Sequence, residues 1–148
     1  MNLEQFLQLF NPLPGNHFLQ ITTAKDEITK ALSLMLEGVD GELDVALYNE
    51  NNLDFSKPFR AAARSNDIVI FKDVFHAHQN QKMILKIAYT SLANTADIII
   101  MEKKGVMNVQ AMKDMLEEFE FRAANDIDVL EGYDLVMAKK MHMWGNGL

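Results

Sequence analysis

His76 and His78 stand one residue apart, with Asp73 just before them. On an extended backbone alternate residues share a face, and on a loop both rings can turn into one pocket. Two chemistries follow. The pair could hold a metal with a third ligand from Asp73, Glu102 or His17. Alternatively, His76 could act as a general base at the end of a strand. No His-x-x-x-His or carboxylate spacing accompanies the pair, so no metal site is expected. The competing reading is a structural histidine at a helix start, bonded to backbone. Asp73, Glu102 and Glu50 each follow an apolar run. Gathered at one edge they would form an acidic rim, suited to a cationic or hydroxyl-rich ligand rather than to phosphate. No glycine-rich phosphate cradle, nucleophile elbow or kinase signature occurs. Met141 and Met143 flank His142. That run could take soft copper or simply fill gaps in packing. Trp144 could anchor an interface or cap a sheet edge.

These residues need a scaffold. Residues 67–72 and 97–101 are nearly continuous apolar runs, as in central parallel strands buried on both faces. Residues 17–22 and 43–48 read as two earlier strands. A helix is expected after residues 23–26, whose spacing fits a capping box with Asp26 for the usual Glu. It runs to Glu37, and Gly38 suits its C-terminal cap. A second helix follows Gln79 or Asn80 and ends at Asn94. A third is capped by Asn108 and runs to Phe119. Residues 123–130 and 134–140 read as strands joined by a turn at 131–133. Parallel strands need crossover helices, which right-handed connections place on both faces. The last connection is too short for a parallel pair. The expected fold is therefore α/β: an open, doubly wound, mostly parallel sheet. Its strand near Asp134 should be antiparallel and lie between those at Asp97 and Ala123.

Leu3, Phe6, Leu7 and Phe10 form one stripe of a short helix, which the Asn-Pro-Leu-Pro-Gly-Asn segment at 11–16 ends. The stripe reads as a lid on the core or as a partner-binding helix. Residues 1–148 are expected to be one domain, with 1–16 as helix and linker.

The chain is 49% hydrophobic and 24% charged, enough apolar content for a core. There is no cysteine, so disulfides, thiolate catalysis and Cys-ligated metal are excluded. A net charge of −7 with scattered lysines argues against nucleic acid. The pairs Lys103–Lys104 and Lys139–Lys140 read as solvated strand ends. No apolar run reaches membrane-spanning length, and the N-terminus lacks the charge and apolar run of a secretory signal. A cytoplasmic protein is expected, away from membranes, with a small molecule or a protein as partner. Apolar surface on the stripe and Trp144 suggests a homodimer.

The stretch 67–140 resembles the C-terminal half of class I S-adenosylmethionine-dependent methyltransferases. DIVIFKDVFHAHQNQKMILKIAYTSLANTADIIIMEKKG is similar to that family's fourth strand, helix and fifth strand, with a histidine pair just after the strand. FRAANDIDVLEGYDLVMAKK is similar to its terminal strand pair. The resemblance implies a cofactor loop at residues 22–26, with Thr22 and Thr23 as its cofactor-binding positions, and Glu50 on the ribose. His76 and Asp73, at the carboxyl end of a central strand where open α/β sheets place their ligands, are the expected catalytic residues. The sequence departs from the family at that loop, which has no glycine. Side chains at Thr23 and Lys25 would fill space that glycine leaves open. The segment where a third strand belongs is short and polar. The expectation is a methyltransferase-like domain with a diverged loop, non-catalytic and binding a small ligand or a protein. The alternative is an active methyltransferase on a small molecule. S-adenosylmethionine is the implied cofactor, and the loop argues against its binding.

Overall fold

The computed structural model describes residues 1–141. The Met-His-Met run beyond Met141 and the Trp144 expectation lie outside the described residues. The elements are α1 (Glu4–Leu7), β1 (His17–Thr22), α2 (Glu27–Glu37), β2 (Glu42–Leu47), β3 (Asn66–Lys72), α3 (Gln81–Ser91), β4 (Leu92–Lys103), α4 (Val109–Glu118), β5 (Phe121–Ile127) and β6 (Tyr133–Lys140). A short 3-10 turn, Phe75–Ala77, sits between β3 and α3.

The strands form one six-stranded sheet in the order β2-β1-β3-β4-β6-β5. β2, β1, β3 and β4 are mutually parallel. β6 runs antiparallel between β4 and β5, as the short final connection requires. The apolar runs at the centre are buried on both faces: Ile70, Ile98 and Ile100 at 0% exposure and Ile68 at 8%. One face packs on Ile84, Leu85 and Ala88 of α3 and Met112 and Leu116 of α4. The other carries Ile28, Leu32 and Leu36 of α2. Phe6 and Phe10 belong to this second cluster and are buried there. The stripe is thus a lid on its own core, with Leu3 and Leu7 partly buried beside it.

Several boundaries differ from those expected. α2 is capped by Asp26 itself, whose carboxylate accepts from Ile28 N and Thr29 N while Thr29 Oγ1 accepts from Asp26 N. The capping box is therefore Asp26 with Thr29, one turn later than expected. α3 stops at Ser91 instead of Asn94, and β4 follows at once. The cause is remote: Lys140 Nζ donates to the Tyr89 and Leu92 carbonyls, both at 2.8 Å. Lysine near a helix C-terminus satisfies its orphan carbonyls. Lys140 is buried, so it is no solvated strand end. β5 begins at Phe121, buried against Tyr89, and ends at Ile127. Val129 and Leu130 leave the sheet to pack with the α1 and α2 cluster. Among the described residues no strand lies between β2 and β3, and the ladder contact there is an isolated bridge, Tyr48 with Leu53. Among the described residues no helix is long and apolar enough to cross a membrane.

Candidate functional site

The chain leaves β1 toward β2 on one side and reaches β3 on the other. At such a reversal the two following loops diverge, and the crevice between them is where open α/β sheets take ligands. One wall is the loop after β1. Thr22 is buried, and its Oγ1 donates to Ala24 O at 3.3 Å. Thr23 is half-buried, while Lys25 is exposed and points away toward a groove between α2 and β2. The N-terminus of α2 attracts anions, and Asp26 takes that place with its own carboxylate.

The other wall starts at Lys72, the last residue of β3. Its side chain is 7% exposed. Nζ lies 3.0 Å from Asp26 Oδ2 and 2.9 Å from Asp73 Oδ2. It also lies 5.1 Å from the centre of the Tyr133 ring. The Tyr133 hydroxyl donates to Asp73 Oδ2 at 3.1 Å. Burial works against the ammonium, but hydrogen bonds to Asp73 and Asp26 outweigh it and hold its pKa above the usual lysine value. At Asp26 burial is likewise opposed by Lys72 and by the α2 amides, leaving a net lowered pKa. Asp73 adopts the left-handed region, φ 61°, and its amide donates to Met101 O at 3.0 Å. Such a conformation costs free energy in a non-glycine residue and persists where its surroundings hold it. The lysine at the mouth of the crevice is thus Lys72, while Lys25, expected to fill the loop, lines another groove.

The histidine pair divides. His76, on the 3-10 turn, keeps 47% of its side chain exposed and contacts Glu102 of β4 through Nδ1. Glu102 is 1% exposed in its side chain, and its carboxylate has no other partner among the described residues. Burial raises the Glu102 pKa, the charge on His76 offsets this in part, and like charge on Asp73 adds to it. A buried carboxylate on Nδ1 fixes the orientation of an imidazole whose remaining surface meets solvent. That arrangement can move protons. His78, by contrast, is buried. Its Nε2 donates to Lys57 O at 2.9 Å and its Nδ1 accepts from Asn80 N at 2.9 Å. It is the structural histidine, pinning the segment after β2 to the start of α3. His17 lies at the opposite end of the sheet, 2.8 Å from Asp44. Among the described residues no group of three or more His, Asp or Glu could hold a metal.

Glu50 is exposed on the turn beyond β2. Tyr48, just before that turn, is buried, stacks on Phe55 and donates to Lys57 O at 2.6 Å. Burial pushes its hydroxyl pKa up to about 12. The rim therefore joins Asp73 and Glu102, while Glu50 stands apart on the other side of β1. Sequence reasoning missed Lys72 and Tyr133. A lysine ending an apolar run carries no local mark of burial, and Tyr133 belonged to the turn expected between the last two strands.

No family model and no curated protein matches the sequence. Solved structures do match. The chain is similar to an S-adenosylmethionine-dependent methyltransferase from Aquifex aeolicus, with TM-score 0.75 and 16% identity over 95% of this chain and 90% of that one. It is similar to the CurJ carbon methyltransferase, with TM-score 0.70 and 14% identity over 92% of this chain and 51% of that one. Haemonchus contortus phosphoethanolamine N-methyltransferase 2, in complex with S-adenosyl-L-methionine, matches with TM-score 0.73 and 8% identity over 95% of this chain and 52% of that one. The chain spans about half the length of the latter two. At these identities the likeness is one of fold.

Proposed function

We propose that this chain, which has the class I S-adenosylmethionine-dependent methyltransferase fold, is a binding module for a small molecule or a protein and not a methyl-transfer enzyme. One observation carries this reading: the buried Lys72 ammonium bridges Asp26 and Asp73 across the crevice between β1 and β3. A cofactor entering that crevice would have to break this bridge, and removing one partner of a buried pair costs about 3–5 kcal/mol. Both carboxylates that could favour a cation are already held by Lys72. The loop has no glycine, so a ligand cannot approach its backbone as closely as it could approach a glycine-rich one. Glu50 forms no ion pair among the described residues and could accept ribose hydroxyls, so weak affinity for a nucleoside is consistent with this reading.

Titration calorimetry of the purified protein with S-adenosylmethionine and S-adenosylhomocysteine tests it, after a check for ligand carried over from expression. No saturable heat at millimolar ligand is the expected result. Low-micromolar affinity, weakened strongly by Glu50→Ala, would overturn it.

The His76–Glu102 contact favours a second reading, an active methyltransferase on a small molecule. His76 would take the proton of the acceptor as the methyl group leaves the sulfonium sulfur, with Glu102 holding the ring. Methylation of any acceptor by the purified protein, lost in His76→Ala, would select it. A cytoplasmic location and a homodimer through the N-terminal stripe, Trp144 or both complete the proposal. Light scattering that gives a 16.8 kDa particle at micromolar concentration would remove the dimer.

A further inference from the structure

β2 is the outermost strand of the sheet and pairs only with β1. In a parallel ladder, residues alternate in the side to which they turn their amide and carbonyl. Glu42 N donates to Asn16 O and Tyr48 N to Thr22 O, so the even-numbered residues of β2 face β1. Leu43, Val45 and Leu47 therefore face outward. Leu53 N covers the Leu47 carbonyl at 3.1 Å. Among the described residues nothing covers the outward amides and carbonyls of Leu43 and Val45.

Hollows flank this open edge on both faces of the sheet. One, of about 550 Å³, is lined by Leu19, Val45, Ala46, Ala61 and Arg60 among others. The other, of about 490 Å³, includes Leu43, Val45, Ser33, Leu34, Lys25 and Lys30 in its walls. Leu34 is 58% exposed there, an unusual position for leucine on an amphipathic helix. Side chains of a strand alternate between faces. A strand laid along β2 would place them by turns in the two hollows. Lys25, Lys30 and Arg60 line these hollows and form no ion pair among the described residues. Of the acids beside them, Asp26 is bound by Lys72 and Asp44 by His17, while Glu42 is exposed on the strand itself.

We propose that the β2 edge takes a strand from another protein: an extended segment, apolar at its inner positions and acidic at its ends. Leu43 and Val45 each offer it one donor and one acceptor, the two hollows take its side chains, and the cations take its ends. A second copy of this chain is a poorer occupant, because a two-fold pairing of β2 with itself brings the same cations together. The proposal supplies a partner class for the binding-module reading and rests on that reading for nothing else.

The test uses the full chain and a labelled, end-blocked nonapeptide with five apolar residues between paired aspartates. Saturable binding by fluorescence anisotropy is expected, with slowed hydrogen exchange at the Leu43 and Val45 amides. Val45→Pro removes an outward donor and exchanges one apolar side chain in the hollows for another, at a position where an edge strand tolerates proline. It should weaken binding about tenfold or more, the scale of one lost hydrogen bond with its mismatch. Lys30→Glu should weaken the acidic peptide and favour one ending in lysines. If Val45→Pro does not fold, a peptide N-methylated at alternate residues takes its place and must not bind. Absence of saturable binding, or binding indifferent to these changes, overturns the proposal. So does a dimer in light scattering that Val45→Pro dissolves, which would give the edge to a second copy. Cofactor titration probes the crevice and this peptide the edge, so each reading can fail alone.

Discussion

Lys72 Nζ lies 3.0 Å from Asp26 Oδ2, joining the end of β3 to the first turn of α2 across the mouth of the crevice. Removing one partner of a buried pair costs about 3–5 kcal/mol. Asp26 keeps 34% of its side chain exposed, so the lower part of that range applies to Lys72→Met. Urea unfolding measures it, and a loss below ~1 kcal/mol would show that the pair is not dry. Asp26 also gives the pair a pH dependence. Its folded pKa lies below the unfolded value near 3.9. The stability it adds is therefore fully present above about pH 4 and is lost as pH falls through the folded value. Lys72→Met should flatten the parent's acid-side decline.

Glu102 works in the opposite direction. Burial raises its folded pKa above the unfolded value of about 4.3. The folded state then binds the proton more readily, so stability declines as pH rises from about 4.3 to the folded value. Glu102→Gln does not titrate. Its melting temperature relative to the parent should climb across that window and level off beyond it. Calorimetric scans at stepped pH check this, and a difference independent of pH would mean that the carboxylate bears no burial penalty.

Lys140 ends α3 from a distance. Lys140→Met keeps most of the apolar stem over the Tyr89 ring but loses both bonds to the Tyr89 and Leu92 carbonyls. Leaving buried acceptors unpaired costs about 1–3 kcal/mol each, discounted here for water reaching the frayed turn. Faster hydrogen exchange in the last turn of α3, with the first turn unchanged, is the expected signature.

Ile98 is fully buried in β4, in the cluster that includes α3 and α4. Ile98→Ala should cost about 2–5 kcal/mol through lost transfer energy and the cavity left behind. Chemical denaturation giving less than ~1 kcal/mol would contradict a strand covered on both faces.

The sheet was legible because its signals are local. The isoleucine runs in β3 and β4 and the short turn before β6 determine which strands are central and which is antiparallel. The positions of Asp73, His76 and Glu102 followed, since each lies at or just beyond the carboxyl end of a recognisable strand. What the sequence hid depends on partners far along the chain. Lys72 is buried because Asp26 and Asp73 receive it, and α3 stops at Ser91 because Lys140 reaches its carbonyls. Propensity cannot register a cap that arrives from another element. His76 and His78 have the same residue type and nearly the same place, yet one meets a buried carboxylate and the other backbone. That distinction exists only after folding.

The position of β6 constrains the order in which the molecule can assemble. It enters between β4 and β5, both of which precede it in the chain. Until it arrives, β4 has a bare hydrophobic flank, β5 has no ladder partner, and the end of α3 lacks the ammonium that satisfies it. Unpaired flanks of this kind are where incompletely folded chains join one another. A ribosome-bound chain stalled before β6 emerges should therefore recruit holdase chaperones through β4, and insertion of β6 should be the step that ends its dependence on them.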